Sequence, residues 1–294
     1  MNKEFQQFYE LMQRELKLQG KAKATQDGYL RTLRRVEERI DKELDQLTPE
    51  DLKTYFADLL ETHSWSTVKV DRCALVFFYT FVLDRDWQWI KIVKVPRVKT
   101  IPDILTVEET VYVLSQLEKP RYKACLTAIY SMGLRLSEGL QIRPGDICSA
   151  TMRMHVRNSK GRKDRLVPLP HVTLNILRQH WLTHRNPHRL FPRFHGTSNK
   201  ISKTKLYMDK GGVQNALKAA LADANIHKKI SVHSLRHSYA THLVEIGVNL
   251  RMVQEILGHS SPVSTAIYAQ ISKPVSQDSD RMINQMMQKL SSLL

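Results

Sequence analysis

Apolar residues recur at intervals of three and four along most of the chain, a spacing that predicts a mainly helical protein. Phe5, Phe8, Tyr9, Met12 and Leu16 share one face of a first helix. Past Gln19-Gly20-Lys21, Tyr29, Leu33, Val36 and Ile40 repeat the stripe, with Arg31, Arg34 and Arg35 on the other face. Thr48-Pro49-Glu50-Asp51 reads as a helix start, with a capping hydroxyl, proline at the first helical position and acids where the helix dipole is positive. Leu52, Tyr55, Phe56, Leu59 and Leu60 carry that helix inward. A fourth opens at Ser64 or Ser66 and runs through Leu75, Phe78, Phe81 and Val82, so residues 1–90 should form a four-helix bundle.

Residues 91–102 read KIVKVPRVKTIP, with two prolines, no acid and no helical period, which predicts an extended basic linker over 91–104. Thr106-Val107-Glu108-Glu109 is a capping box that opens a second domain over 105–273. Within it, Tyr122 to Met132 is an apolar helix ended by Gly133, which leaves Arg135 just past a helix end. Met152 to Arg157 and Arg165 to Leu169 read as two short strands joined by the turn Ser159 to Asp164, with Lys160 at its tip. Helices are expected over Leu174 to Trp181 and Gly211 to Ala222, and a polar loop over Phe194 to Tyr207. The tail, 274–294, carries a last stripe of Met282, Ile283, Met286, Met287 and Leu290. The expected class is therefore mainly α (α+β): a helical bundle, then a mixed α domain with a small antiparallel sheet.

One stretch concentrates polar chemistry. From Val232 to Tyr268 the chain reads VHSLRHSYATHLVEIGVNLRMVQEILGHSSPVSTAIY. Leu235, Tyr239, Leu243 and Val244 mark a helix stopped at Gly247, so His233 and Arg236 lie one turn apart. A second helix, capped by Asn249 and turning Met252, Val253, Ile256 and Leu257 inward, ends at Gly258 and puts His259 on the exit turn. A guanidinium fork matches phosphate oxygens, and imidazole moves protons at neutral pH. The Tyr268 phenol, with an unperturbed pKa of ~10, becomes a nucleophile if nearby cations lower it, and one unit charge at ~4 Å contributes on the order of 4 kcal/mol. The stretch is suited to attack on a phosphodiester.

Composition narrows the partner. The 294 residues allow one large or two modest domains, and a formal charge of +16 calls for a polyanion, nucleic acid first. The three cysteines show no metal or disulfide spacing, the polar N-terminus carries no signal sequence, and the longest apolar run, Ala74 to Leu83, is too short for a bilayer. A cytoplasmic protein without membrane attachment is expected. His233 and His237 have a zinc-ligand spacing, but no glutamate or cysteine accompanies them and Arg236 lies between. No phosphate-binding glycine loop and no cluster of acids suggests ATP or two-metal chemistry. The expected cofactor set is empty, metal included.

His233-Ser-Leu-Arg236, Leu257-Gly258-His259 and Tyr268 together resemble the second signature block of the tyrosine recombinases, the phage integrase and Xer class. Gly133-Leu-Arg135-Leu-Ser-Glu138 resembles the first block, and Ser159 to Arg165 resembles the hairpin turn with its lysine. The resemblance implies a SAM-like core-binding bundle at the N-terminus and a catalytic domain after the linker. It implies that Tyr268 is the nucleophile, that Arg135 and Arg236 hold the phosphate, that His233 handles the phenol proton and His259 bonds the phosphate, and that Lys160 protonates the leaving oxygen, with Lys163 its competitor. Glu138 would hold Arg135 in place. Arg31, Arg34, Arg35, Lys69 and Arg72 on the bundle, Lys94, Arg97 and Lys99 on the linker, and Arg162 and Lys163 on the hairpin would meet DNA. The implied activity is site-specific recombination of double-stranded DNA through a 3′-phosphotyrosyl intermediate and a four-way junction. Partners would be specific recombination sites and a homotetramer, or a heterotetramer with a related recombinase, with the tail packing on a neighbouring protomer. A type IB topoisomerase and a catalytically silent DNA-binding relative are the alternatives.

Overall fold

The computed structural model describes residues 3–85, 92–94, 96, 102–157, 164–194, 198–259, 265, 266 and 268, leaving out the side chains of 198 and 199. The chain folds as two compact units, Met1–Lys99 and Thr100–Leu294.

The first unit packs α1 (Lys3–Leu18), α2 (Lys23–Arg39), α3 (Pro49–Thr62) and α4 (Trp65–Phe81). Its start signal at Thr48 works as the sequence indicates: Thr48 N donates to Asp51 Oδ2 at 2.9 Å, and Asp51 N donates back to Thr48 Oγ1 at 3.3 Å. Met12, Leu16, Leu33, Val36, Leu52, Leu59, Leu75 and Phe78 are fully buried in the shared core. Leu60 and Phe81, expected inside, lie at the rim, 36% and 42% exposed, where their stripes drift off the packed face.

At the centre of this bundle sits a charge. Asp71, 1% exposed, accepts hydrogen bonds from Thr32 Oγ1 at 2.8 Å, Tyr55 Oη at 2.7 Å and Arg35 Nη1 at 2.6 Å. Arg35 is thereby committed to the bundle's interior, and Arg34 stacks on the Tyr9 ring at 4.9 Å while bonding its hydroxyl. Arg31 and Lys69 are exposed, and Arg72 is half-buried. Removing the carboxylate strands three donors, so Asp71→Ala should destabilise the first unit by about 3–5 kcal/mol, read as a lower urea midpoint. A loss below about 1 kcal/mol would contradict this reading of the hub. Ile92 and Val93 also pack against this core, and Lys94 is exposed. Arg97 and Lys99 lie outside the described residues.

The second unit runs α5 (Val107–Ser115), α6 (Pro120–Ser131), α7 (Leu136–Gln141), β1 (Ile147–Cys148), β2 (Arg153–Val156), β3 (Arg165–Pro168), α8 (His171–Leu182), α9 (Ser198–Lys203), α10 (Lys210–Asp223), α11 (Val232–Glu245) and α12 (Leu250–Leu257). The apolar α6 is the hub of its core, with Cys125, Leu126, Ala128 and Ile129 fully buried. The sheet is antiparallel in the order β1-β2-β3, and Met154 pairs with Val167 on the buried face. The fold is thus mainly helical with a small antiparallel sheet. The turn with Lys160, Arg162 and Lys163 lies outside the described residues, as does the tail from 269. Three elements depart from the sequence reading. α7 has only six residues, too few to mark a helical stripe. β1 has only two residues, too few to show a period. The expected loop from Phe194 to Tyr207 contains α9, which has no apolar stripe; the fully buried Asn186 pins its end by donating to Ile201 O at 2.8 Å and Thr204 O at 2.9 Å. No described helix is long and apolar enough to cross a membrane.

Candidate active site

Ser231 caps α11 by accepting from Ser234 N at 3.3 Å, which fixes the phase of the helix. Arg236 then points into the protein while His233, three residues earlier, opens to solvent. On α12 the Asn249 side chain accepts from Arg251 N at 2.7 Å, and Gly258 ends the helix in the left-handed conformation, φ +65°. Met252, expected inward, is 57% exposed because it stands about 100° around the helix from the buried Val253 and about 140° from Leu257. Gly133 ends α6 with φ +60°, and a Cβ there would meet Tyr239 Cδ1 at 2.7 Å and Leu257 Cδ2 at 2.8 Å. That close approach brings the ends of α6 and α12 together.

Arg236 bridges those ends. Its side chain is fully buried, Nη1 donating to Gly133 O at 2.8 Å and Nη2 to Leu257 O at 2.6 Å, so it neutralises the negative ends of two helices. Arg135, the residue before α7, donates Nη2 to the next carbonyl, Gly258 O, at 3.5 Å. Both arginines converge on Glu138. Arg135 Nη1 lies 2.6 Å from Oε1, its backbone N donates to Oε2 at 2.9 Å, and Arg236 Nη1 stands 3.7 Å from Oε2.

A third arginine, not singled out in the sequence, completes the cluster. Arg165, at the start of β3, donates to both Glu138 oxygens at 3.0 and 2.8 Å and through Nε to Ile256 O at 2.8 Å. It ties β3 to α7 and α12. Burial pushes Glu138 up, but the hydrogen bonds and charge of Arg165, then the backbone N–H and charge of Arg135, hold it at about 2. Its position in the charged turn Ser159 to Arg165 was the only sequence signal for Arg165.

Tyr268 lies in this same unit against Ala240, Val244, Val253 and Leu257, with no exposed surface. Its hydroxyl meets His237 Nδ1 at 3.0 Å, and the His259 ring stacks on it with centroids 6.1 Å apart. His259 is held in turn by Thr265 Oγ1 at 3.0 Å from Nδ1. His233 stands edge-on to His237, ring centroids 4.6 Å apart. His237, which the sequence raised only for its zinc-ligand spacing from His233, is thus a member of the site. His242 is a core residue, bonded to Tyr130 Oη and Leu105 O, each at 2.9 Å.

The electrostatics differ from the expectation of an activated phenol. Burial raises the Tyr268 pKa, and the opposing pull of Arg236 and Arg135 does not overcome it. Both arginines are ion-paired with Glu138. Burial lowers Arg236 to about 9, which keeps it protonated at neutral pH. Burial also lowers His233, helped by Arg236 and Arg135. His237 is held at about 4 by burial, then by His233 and Arg236. Burial, Arg236 and Arg135 put His259 at about 4 as well. The site therefore holds neutral imidazoles, a protonated phenol and three guanidinium groups around one carboxylate.

A pH dependence of stability follows. The unfolded chain protonates these histidines near pH 6.5, whereas folded His237 and His259, with the buried His180 of α8, do so only near 4. Folding stability is full above 6.5 and falls as pH drops toward 4, by up to about 3 kcal/mol for the buried His180 and by less for His237 and His259, which water partly screens. Urea midpoints of the second unit should therefore drop steeply between pH 7 and 4.5, and a flat profile would contradict the burial described.

The sequence has recognisable relatives. Residues 97–274 match the model of the phage integrase family, and residues 8–89 match that of the phage integrase N-terminal SAM-like domain. A putative integrase/recombinase, y4qK, of Sinorhizobium fredii is 33% identical over 250 residues, 84% of this chain and 79% of that protein. The tyrosine recombinase XerD of Staphylococcus epidermidis is 34% identical over 191 residues, 60% of each chain. Among solved structures, a lambda integrase dimer bound to a COC′ core site superposes with a TM-score of 0.71 at 15% identity, covering 90% of this chain and 94% of that one. The XerH site-specific recombinase in a post-cleavage complex with a palindromic difH substrate gives 0.69 at 21% identity, covering 88% and 79%. At those identities the structures speak for the fold.

Proposed function

The chain belongs to the phage integrase family, and from that premise we propose that it is a site-specific tyrosine recombinase that cuts and rejoins double-stranded DNA. The observation that carries the proposal is that the buried Tyr268 hydroxyl meets His237, its ring stacks on His259, and it lies within the electrostatic reach of Arg236 and of Arg135, which comes more than a hundred residues earlier in the chain.

In this reading Tyr268 attacks the scissile phosphate and conserves the broken ester as a 3′-phosphotyrosyl bond, so strand joining needs no nucleotide cofactor. Arg135 and Arg236 supply charge where it grows on the non-bridging oxygens, Glu138 and Arg165 hold their planes, and His259 donates to the phosphate. Lys160 is the acid for the 5′ leaving oxygen, with Lys163 its rival. Arg236 and Tyr268 are both closed from solvent in this state, so loading a phosphate requires the pocket to open around them. Exposed Arg31 and Lys69 on the bundle and Lys94 on the linker are proposed to meet DNA phosphates. Arg35 is the weakest of the predicted contacts, since Asp71 holds it. Assembly as a tetramer on paired sites, and action in the cytoplasm, belong to the same proposal.

The test begins with duplexes selected by the chain from random sequence. Binding should fall steeply with salt, roughly in proportion to the phosphates contacted, and nicked versions of the selected duplex should trap a covalent adduct. A flat salt plot, or relaxation of supercoiled DNA that lacks a selected site as fast as DNA that has one, would contradict site-specific recombination.

A further inference from the structure

The hydrogen bonding of Tyr268 gives His237 a role that the family resemblance leaves to a neighbour. We propose that His237 takes the phenol proton of Tyr268 when a phosphate ester enters the pocket, in place of His233. This rests on the recombinase reading above. Among the described residues, His237 is the side chain hydrogen-bonded to the Tyr268 hydroxyl, Nδ1 to Oη 3.0 Å, with the rings tilted by 49°. His233 touches the edge of His237 instead, ring centroids 4.6 Å apart.

The transfer uses the tautomer of neutral His237 that carries its proton on Nε2, in which Nδ1 accepts from the phenol. Between these two groups alone proton transfer is uphill, because burial holds the ring neutral and the phenol protonated. The groups that face this pair are His233 and Arg236 from α11, Arg135 with Glu138 from the start of α7, and His259 from the turn after α12. A phosphodiester lodged against Arg135 and Arg236 adds a negative charge, removes the repulsion that Arg236 exerts on His237, and favours the imidazolium. Substrate thus switches the base on, and a phenolate does not accumulate without it.

The step balances. The Tyr268 Oη–H bond breaks as Oη–P forms, and the proton moves to His237 Nδ1. The P–O5′ bond breaks with its electron pair on the 5′ oxygen, which is protonated by a separate acid. On rejoining, the 5′-hydroxyl gives its proton back to the conjugate base of that acid as its oxygen attacks phosphorus, Oη–P breaks, and His237 returns its proton to Tyr268.

The experiment uses the full chain and a nicked duplex carrying a site it selected from random sequence, and follows adduct formation by the wild type, His237→Ala and His237→Asn across pH 6 to 9. Asparagine keeps an acceptor oxygen near the Nδ1 position but takes up no proton. Both variants should form adduct a hundredfold or more slowly at neutral pH, with rates that climb with pH, and added imidazole should recover part of the His237→Ala rate. Recovery of the wild-type rate by His237→Asn overturns the proposal, since an acceptor alone would then suffice. Wild-type rates and pH profile in both variants, with His233→Ala slow, overturn it in favour of His233 and leave the recombinase reading standing. Absence of adduct with the wild type overturns both.

Discussion

Tyr268→Phe abolishes covalent attachment to DNA while the folded chain still binds its selected duplex. Phenylalanine fills the same enclosed space against Val244, Val253 and Leu257, and the hydroxyl it lacks has His237 Nδ1 as its described partner. The fold should therefore lose only about 1 kcal/mol, the worth of one hydrogen bond. Chemistry, by contrast, loses its nucleophile altogether. Gel-shift and denaturing-gel assays on one preparation separate the two effects. An adduct that survives in the variant would move the nucleophile elsewhere; Tyr239, beside Gly133, is the next tyrosine to test.

Arg236→Ala carries the largest combined effect on stability and rate. The guanidinium is wholly buried and links the carboxyl ends of α6 and α12, so truncation leaves Gly133 O and Leu257 O unpaired and opens a cavity beside Glu138. A cost of about 3–5 kcal/mol in unfolding free energy is expected. Loss of the charge proposed to meet the phosphate should also slow cleavage by a hundredfold or more, so a stabilised background is the right host for the measurement. Arg236→Lys distinguishes the parts of this argument. It keeps a positive charge but loses the planar fork that reaches both carbonyls, and should recover little of either property. A lysine variant with native stability and rate would show that the geometry of the fork is immaterial.

Much of this architecture was legible in the chain because its helices are amphipathic and carry explicit stops. The capping boxes at Thr48 and Thr106 and the glycines at 133, 247 and 258 mark where elements begin and end, and Gly133 and Gly258 also set the two helix ends that Arg236 joins. What the sequence hid was pairing over distance. Nothing in the spacing tells that Arg35 turns inward to Asp71, 36 residues away, while Arg31 stays outside. Helical phase alone could not separate His233 from His237, which sit four apart on one face; only the position of Tyr268 decides which ring receives its hydroxyl. Nor could a count of cations give the state of the phenol. The sequence shows Arg135 and Arg236, but the carboxylate that compensates them and the burial that opposes them appear only when the chain is folded.

The central claim is that one buried phenol, held beside two arginines from distant segments, becomes the covalent link to DNA. Digesting a trapped adduct with protease and nuclease and sequencing the nucleotide-bearing peptide by mass spectrometry tests it most directly. The account predicts that the added nucleotide 3′-phosphate sits on Tyr268 alone. A nucleotide on any other residue, or on a 5′-phosphate, would contradict it.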